Sequence, residues 1–243
     1  PSLAWPGRIV GLIRRENAVM DESSERRSKS SGPKGSGPVP KAVVSRLSLY
    51  LREIQHWVRE GKETISSTQL GKLLGFTDAQ VRKDFAYFGQ FGYPGIGYRC
   101  GELTAAIRSI LGTDRSWKVA LVGCGNLGQA LMGYRGFADR GFEIVAAFDS
   151  DPTKFGRSLA GRTIEPLADF ARIAAERDLR MALLAVPAPF AQEVADGLVA
   201  AGVTGILNFA PVTLSLPRTV QVIGVDLAIE LEQLAYAVVQ SRS

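Results

Sequence analysis

Histidine occurs once in this 243-residue chain, at His56, and cysteine twice, at Cys100 and Cys124. One histidine and two distant thiols exclude zinc fingers and other Cys/His clusters, which need several ligands at short fixed spacings. No bound metal is expected. Two cysteines are also too few for a disulfide framework, so a reducing, cytoplasmic setting is expected. Nowhere do about 18 apolar residues run together, which excludes a membrane-spanning helix and makes a membrane partner unexpected. Residues 1–12 are apolar but are interrupted by Pro6, Gly7 and Arg8, so no secretory leader is expected. What the chain does have is 46% hydrophobic and 22% charged residues, enough for sizeable packed cores over a length that suits two ordinary domains.

Charge is spread unevenly. Residues 1–40 hold 7 basic and 4 acidic side chains, residues 41–116 hold 11 and 7, and residues 117–243 hold 11 and 13. The basic excess lies in the N-terminal half, as expected of a half that approaches a polyanion.

Residues 21–40 are rich in Ser, Gly, Pro and charge, a composition that buries too little apolar surface to offset its ordering entropy, and residues 1–40 are expected to be a disordered tail. From Lys41, Val43, Leu47, Tyr50, Ile54 and Trp57 recur at spacings of three and four, with Val44, Leu51 and Val58 beside them, which predicts an amphipathic helix closed by Gly61. His56 falls on its polar side and is expected to be solvated. Ser66 and Gln69 form a capping-box pattern for a short helix ending at Gly75, and Thr77 and Gln80 form a second one. Two short helices around a tight glycine turn predict a helix-turn-helix. On the second helix Gln80, Arg82, Lys83 and Asp84 lie near the start, and Val81, Phe85 and Phe88 are expected to face the core. Gln pairs with adenine and Arg or Lys with guanine in the major groove, so Thr77, Gln80, Arg82, Lys83 and Tyr87 are the candidate DNA-binding residues. Gly89, Gly92, Gly95 and Gly97 crowd the next stretch, which predicts a turn-like wing and no regular element. A helix over 102–111, ended by Gly112, completes a winged-helix domain at 41–116.

From residue 117 strand and helix alternate. Strands are predicted at 118–122, 143–148, 162–164, 181–186, 204–207 and 220–224, and helices at 126–138, 166–177, 189–201 and 227–240. Apolar strands such as MALLAV lack period-two alternation, as in a parallel sheet covered on both faces, so residues 117–225 are expected to form a doubly wound α/β domain of Rossmann type. The segment 226–243 is expected to be a dimerisation helix, apolar at Leu227, Leu231, Leu234 and Val238 and also at Ile229 and Tyr236. The first strand runs into Gly123-Cys124-Gly125-Asn126-Leu127-Gly128, and the second ends at Asp149, 21 residues after Gly128. Strand, glycine turn, helix, second strand and terminal acid are the dinucleotide fingerprint in its required context. Gly123 makes the tight turn, Gly125 admits the pyrophosphate, Gly128 lets helix and strand pack, and Asp149 accepts from the adenine ribose hydroxyls. A carboxylate there disfavours a 2′-phosphate, so NAD(H) is the expected cofactor, although Lys154 and Arg157 nearby leave NADP possible. The turns 186–189 and 208–211 lie where such sheets wall their ligands.

Catalytic groups are scarce in this half. It has no histidine, its lysines are Lys118 on a strand and Lys154 on the adenosine side, and Tyr134 and Tyr236 form no Tyr-x-x-x-Lys pair. Cys124 is expected to pack and not to react. A sensor is therefore expected over a catalyst. The alternatives are an NAD-dependent dehydrogenase with a helical appendage, and a module that binds coenzyme A or another nucleotide without touching DNA.

The segments SRLSLYLR, SSTQLGKLLGFTDAQVRKDFAYFGQFGYPGIGY, VALVGCGNLGQAL, GILNFAPV and VDLAIELEQL together resemble the Rex family of redox-sensing transcriptional repressors, in unbroken order from residue 41 to about 240. The resemblance implies a homodimer with a winged-helix head, a Rossmann domain and a swapped C-terminal helix. It implies binding to operator DNA when NAD+ is high and release when NADH binds. It also places Arg52, Tyr134 and Asp226 in the family's switching network, where Asp226 could pair with Arg52 in one state and accept from Tyr134 in the other. Asp226 is equally placed to cap its own helix. Cys124 stands where the family often has Ala or Met.

Overall fold

A computed structural model describes residues 39–241. Apart from Val39 and Pro40, the expected tail lies outside the described residues. The chain divides into two compact units between Asp114 and Arg115.

The N-terminal unit runs α1 (Lys41–Arg59), β1 (Thr64–Ile65), α2 (Ser67–Leu74), α3 (Asp78–Ala86), β2 (Gly92–Tyr93), β3 (Gly97–Arg99) and α4 (Cys100–Leu111). Val43, Leu47, Tyr50, Leu51 and Ile54 are the buried stripe of α1, while Val44 and Val58 stay exposed. Gly61, at φ +80°, closes that helix and donates to the Val58 carbonyl. The core gathers about Tyr50 and Phe85, whose rings meet edge-on at 5.3 Å, and Phe85 meets Tyr98 at 5.0 Å. Such edge contacts add to the large area that aromatic rings bury. Ser66 caps α2 with both halves of its box in place. A Cβ on Gly71 would lie 2.5 Å from the Phe76 carbonyl oxygen, so only glycine lets α2 and the turn into α3 approach this closely.

The wing is more regular than expected. β2 and β3 form a short antiparallel hairpin, and β1 pairs with β3 to give the order β1-β3-β2. Gly97 turns at φ +91° with its α-carbon pressed against Ile65, so the glycine-rich stretch still forms strands, because a partner backbone lies beside it. α4 begins two residues earlier than predicted and ends at left-handed Gly112.

The C-terminal unit contains β4 (Trp117–Val122), α5 (Asn126–Met132), β5 (Phe142–Asp149), β6 (Ser158–Leu159), β7 (Arg162–Pro166), α6 (Phe170–Arg177), β8 (Met181–Leu184), α7 (Ala188–Ala200), β9 (Gly205–Asn208), β10 (Gln221–Gly224) and α8 (Leu227–Gln240). Its sheet has the order β10-β9-β8-β4-β5-β7-β6 and is parallel throughout except where β6 folds back on β7. Leaving out β6, this is the doubly wound Rossmann order, with its switch point between β4 and β8. The buried strand residues include Ala120, Leu121, Val122, Ala147, Phe148 and Leu184. Two expectations need correction. The helix predicted over 126–138 stops at Met132, because Gly133 follows and the Tyr134 ring folds over Gly136; only a 3-10 turn at Ala138–Arg140 resumes. β6 was not foreseen. Every residue of α8 is exposed, including Leu227, Leu231, Leu234 and Tyr236, so this apolar helix finds no cover among the described residues.

Candidate nucleotide-binding and DNA-reading sites

The glycine turn sits at the carboxyl end of β4, and its three glycines meet different demands. Gly123 has φ +97°, and a Cβ there would lie 2.4 Å from the Ala185 carbonyl oxygen at the end of β8. A Cβ on Gly128 would lie 1.9 Å from the Gly123 carbonyl oxygen, so α5 packs onto the turn only without a side chain. Gly125 differs from both, since its φ of −76° suits any residue and a Cβ there would meet nothing within 4 Å. That open side is the cradle a pyrophosphate would fill. Gly125 also precedes α5 without a side-chain cap, and Asn126 and Leu127 stand exposed beside it, so backbone N–H groups are available to an anion.

Asp149 closes the site from β5 and is only 7% exposed. Its Oδ2 accepts from the Cys124 amide at 2.8 Å and the Lys154 ammonium at 2.9 Å, and its Oδ1 accepts from the Asp151 amide at 2.9 Å. Burial by itself would raise its pKa, but Lys154 and the two amides outweigh that and hold the carboxyl below its usual range. A carboxylate has roughly four acceptor positions, so one remains for a ribose hydroxyl. Sequence reasoning assigned Asp149 to the ribose alone; here it also ties the glycine turn to β5 and carries Lys154. Cys124 packs as expected. Its thiol is buried, donates to the Phe148 carbonyl at 3.4 Å, and is pushed up to about 11 by burial, with the Asp149 charge adding to the effect. A thiol so far from ionisation is inert.

The turn after β9 is built by Asn208, a buried side chain that sequence reasoning did not single out. Its amide nitrogen donates to the carbonyls of Ala210 and Val212, and its oxygen accepts from the Ala210 amide at 2.9 Å. The loop it shapes joins Gly224–Asp226 and the first turn of α8 around a pocket of about 300 Å³. Asp226 lines this pocket and caps α8, accepting from the Ala228 amide at 2.9 Å. Tyr134 is exposed, with its ring edge-on to Phe137. Arg52, on α1 of the other unit, pairs with its neighbour Glu53. At 186–189, Pro187 sits at the N-cap position of α7 without a side-chain cap and Pro189 lies in its first turn, the ordinary use of proline at a helix start.

The candidate DNA-reading residues all lie on or at the ends of α3. Thr77 caps the helix through Gln80 N at 3.1 Å, but the second half of the predicted box is absent, because the Gln80 side chain turns instead to Asp84. Arg82 is exposed and bonds Asp78 and Ser67; Lys83 is exposed; Tyr87 is half-buried against Phe88. Asp84 is not among the exposed residues at all. It falls three residues after Val81, on the buried face, where it receives the Arg46 guanidinium and the Tyr50 hydroxyl. His56 is on the surface beside Glu60. Among the described residues, no group of three or more His, Cys, Asp or Glu could hold a metal ion, and no helix is long and apolar enough to cross a membrane.

Known proteins resemble both halves. A family model described as "CoA binding domain" matches residues 114–212, and one described as "Putative DNA-binding protein N-terminus" matches residues 38–86. The redox-sensing transcriptional repressor Rex of Carboxydothermus hydrogenoformans is 46% identical over 198 residues, which is 82% of this chain and 95% of that protein. The Rex of Chloroflexus aurantiacus is 47% identical over 197 residues, 81% of this chain and 93% of its own. Among solved structures, RSP in complex with β-NAD+ and operator DNA is 32% identical, with a TM-score of 0.80 over 85% of this chain and 95% of RSP. RSP in complex with β-NADH is 31% identical, with a TM-score of 0.77 over 85% of this chain and 97% of RSP.

Proposed function

The chain belongs to the Rex family of redox-sensing transcriptional repressors, and we propose from this how its two units divide the task. The protein is a DNA-binding repressor and not an enzyme; it binds operator DNA when NAD+ is high and releases it when NADH binds. α3 enters the major groove with Gln80, Arg82 and Lys83, while Thr77 and Tyr87 flank it. The turn Gly123–Gly128 takes the pyrophosphate of NAD(H), with Asn126 and Leu127 at its rim and Asp149 at the adenine ribose. One observation carries this reading: of the three fingerprint glycines, only Gly125 faces open space, as backbone must where a phosphate approaches.

Bound NAD+ presents a cationic ring and NADH a neutral one, and the protein must convert that difference into altered DNA affinity. It does so only if the released shape binds NADH more tightly than the DNA-bound shape. A hundredfold coupling corresponds to about 2.7 kcal/mol, which a few exchanged hydrogen bonds supply. Arg52, Tyr134 and Asp226 are our candidates for that exchange. The protein acts as a homodimer in the cytoplasm. The uncovered apolar surface of α8 supports the dimer, since two heads on two half-sites also multiply the affinity of one.

The test is a gel shift of the full-length protein on an A·T-rich palindromic duplex, titrated with NADH against a fixed NAD+ level, with coenzyme A in a parallel arm. NADH is expected to release the duplex and coenzyme A to leave it bound. Occupancy indifferent to the NADH:NAD+ ratio would overturn the sensing function. Release by coenzyme A would reassign the pocket.

A further inference from the structure

Asp84 is 0% exposed, yet it lies one helical turn beyond Gln80 on the helix offered to DNA. Its two oxygens collect four donors. Oδ2 accepts from Arg46 Nε at 2.6 Å and from the Tyr50 hydroxyl at 2.7 Å; Oδ1 accepts from Arg46 Nη2 at 2.8 Å and from Gln80 Nε2 at 2.7 Å. Those four bonds fill the roughly four acceptor positions of a carboxylate. Three of the donors come from α1, so the carboxylate is fixed to the scaffold before it meets Gln80. Burial would favour the neutral acid, but Arg46, Tyr50 and Gln80 outweigh it and keep Asp84 ionised.

An ionised carboxylate only accepts, so the end of the Gln80 amide that faces it must be nitrogen. The terminal torsion of a glutamine is broad and roughly two-fold, so on a free surface its amide can present either end to a partner. Here the flip is settled before DNA arrives. Oε1 and the second Nε2 proton remain, an acceptor beside a donor, which is the complement of adenine N6–H and N7. Guanine offers two acceptors, O6 and N7, on the same edge. A free amide can give both Nε2 protons to that edge, whereas one whose second proton is held by Asp84 must set its own oxygen against O6 or N7.

We propose that Asp84 is a specificity-determining residue that never touches DNA: it locks the Gln80 amide in the orientation that reads adenine and rejects guanine. The proposal rests on α3 being the helix presented to DNA. Asp84 is a positioning residue and Gln80 is the reader.

The experiment is selection from a random duplex library with the full-length protein and NAD+, for wild type, Gln80→Ala and Asp84→Asn. Wild type is expected to prefer adenine over guanine about tenfold or more at one position per half-site. Gln80→Ala is expected to remove that preference at that position alone. Asp84→Asn, whose own amide can present either end, is expected to cut the adenine-to-guanine ratio about tenfold there and to leave the other positions unchanged. If wild type selects no sequence, the DNA-reading function itself fails. If wild type selects a site but the adenine preference survives either substitution, or Asp84→Asn lowers all positions equally, the lock alone is overturned. Should Asp84→Asn fail to fold, the wild-type amide decides. Its two side-chain protons, assigned by their absence in Gln80→Ala, are expected to differ, with one shifted downfield and slow to exchange. A pair typical of free glutamine would overturn the lock.

Discussion

Gly125 and Gly128 stand three residues apart in one turn, but substitution separates what each one does. A side chain at Gly125 enters open space on backbone that any residue adopts, whereas at Gly128 it enters the Gly123 carbonyl. Gly125→Val is therefore expected to leave the melting temperature almost unchanged and to weaken NADH binding by about a hundredfold or more, because only ligand backbone approach is blocked. Fluorescence titration with NADH checks this, and unchanged affinity would contradict the cradle. Asp149 leads to a prediction about pH. Its folded pKa is depressed by Lys154 and two amides against the opposing effect of burial. Its stabilisation is then fully present above the unfolded value of about 3.9 and is lost as pH falls through the folded value. Thermal melts from pH 6 downward should show stability falling below about pH 4, and Asp149→Asn should make that fall shallower. An equally steep acid limb in the variant would remove Asp149 as a source of the effect.

At the scale of elements, what was legible in the sequence is what carries its own local signal. α2 has a complete capping box, so Ser66→Ala is expected to cost about 1 kcal/mol, seen as a lower denaturation midpoint with an unchanged slope. A midpoint equal to wild type would mean the cap is idle. The stripe of α1, the parallel strands and the glycine turn were legible for the same reason, since period and punctuation lie within a few residues. β1, β2 and β6 were not, because strands of two residues have no period and exist only through the strand laid beside them. Asp84 shows the same limit within the reading helix. Its burial has no local signal, because the Arg46 that permits it lies 38 residues earlier in the chain. Asn208 looked like part of a turn, but its role comes from carbonyls that only the folded loop brings to it.

For the whole molecule, basic charge and nucleotide pocket belong to different units, and this separates their responses to salt. Each phosphate neutralised on duplex DNA contributes about −0.9 to the slope of log affinity against log salt. Operator binding should therefore fall steeply with salt while NADH binding changes little, and Arg82→Ala with Lys83→Ala, which removes contacts to base edges, should weaken operator binding and relax its sequence preference without altering NADH affinity. A joint loss of DNA and NADH binding would show that the two functions are not divided this way. The coupling between them is tested at Asp226, which caps α8 and is also our candidate for exchange between Arg52 and Tyr134. Substitution by alanine confounds these roles, because losing the cap alone costs about 1 kcal/mol. Asn caps a helix start about as well as Asp but brings no charge to an arginine, so Asp226→Asn keeps the first role and removes the second. The expected result is a dimer of normal stability that binds the operator and NADH separately, with the NADH concentration needed for release raised about tenfold or more. If Asp226→Asn releases DNA at the wild-type NADH concentration, Asp226 serves α8 alone and the switch must run through other residues.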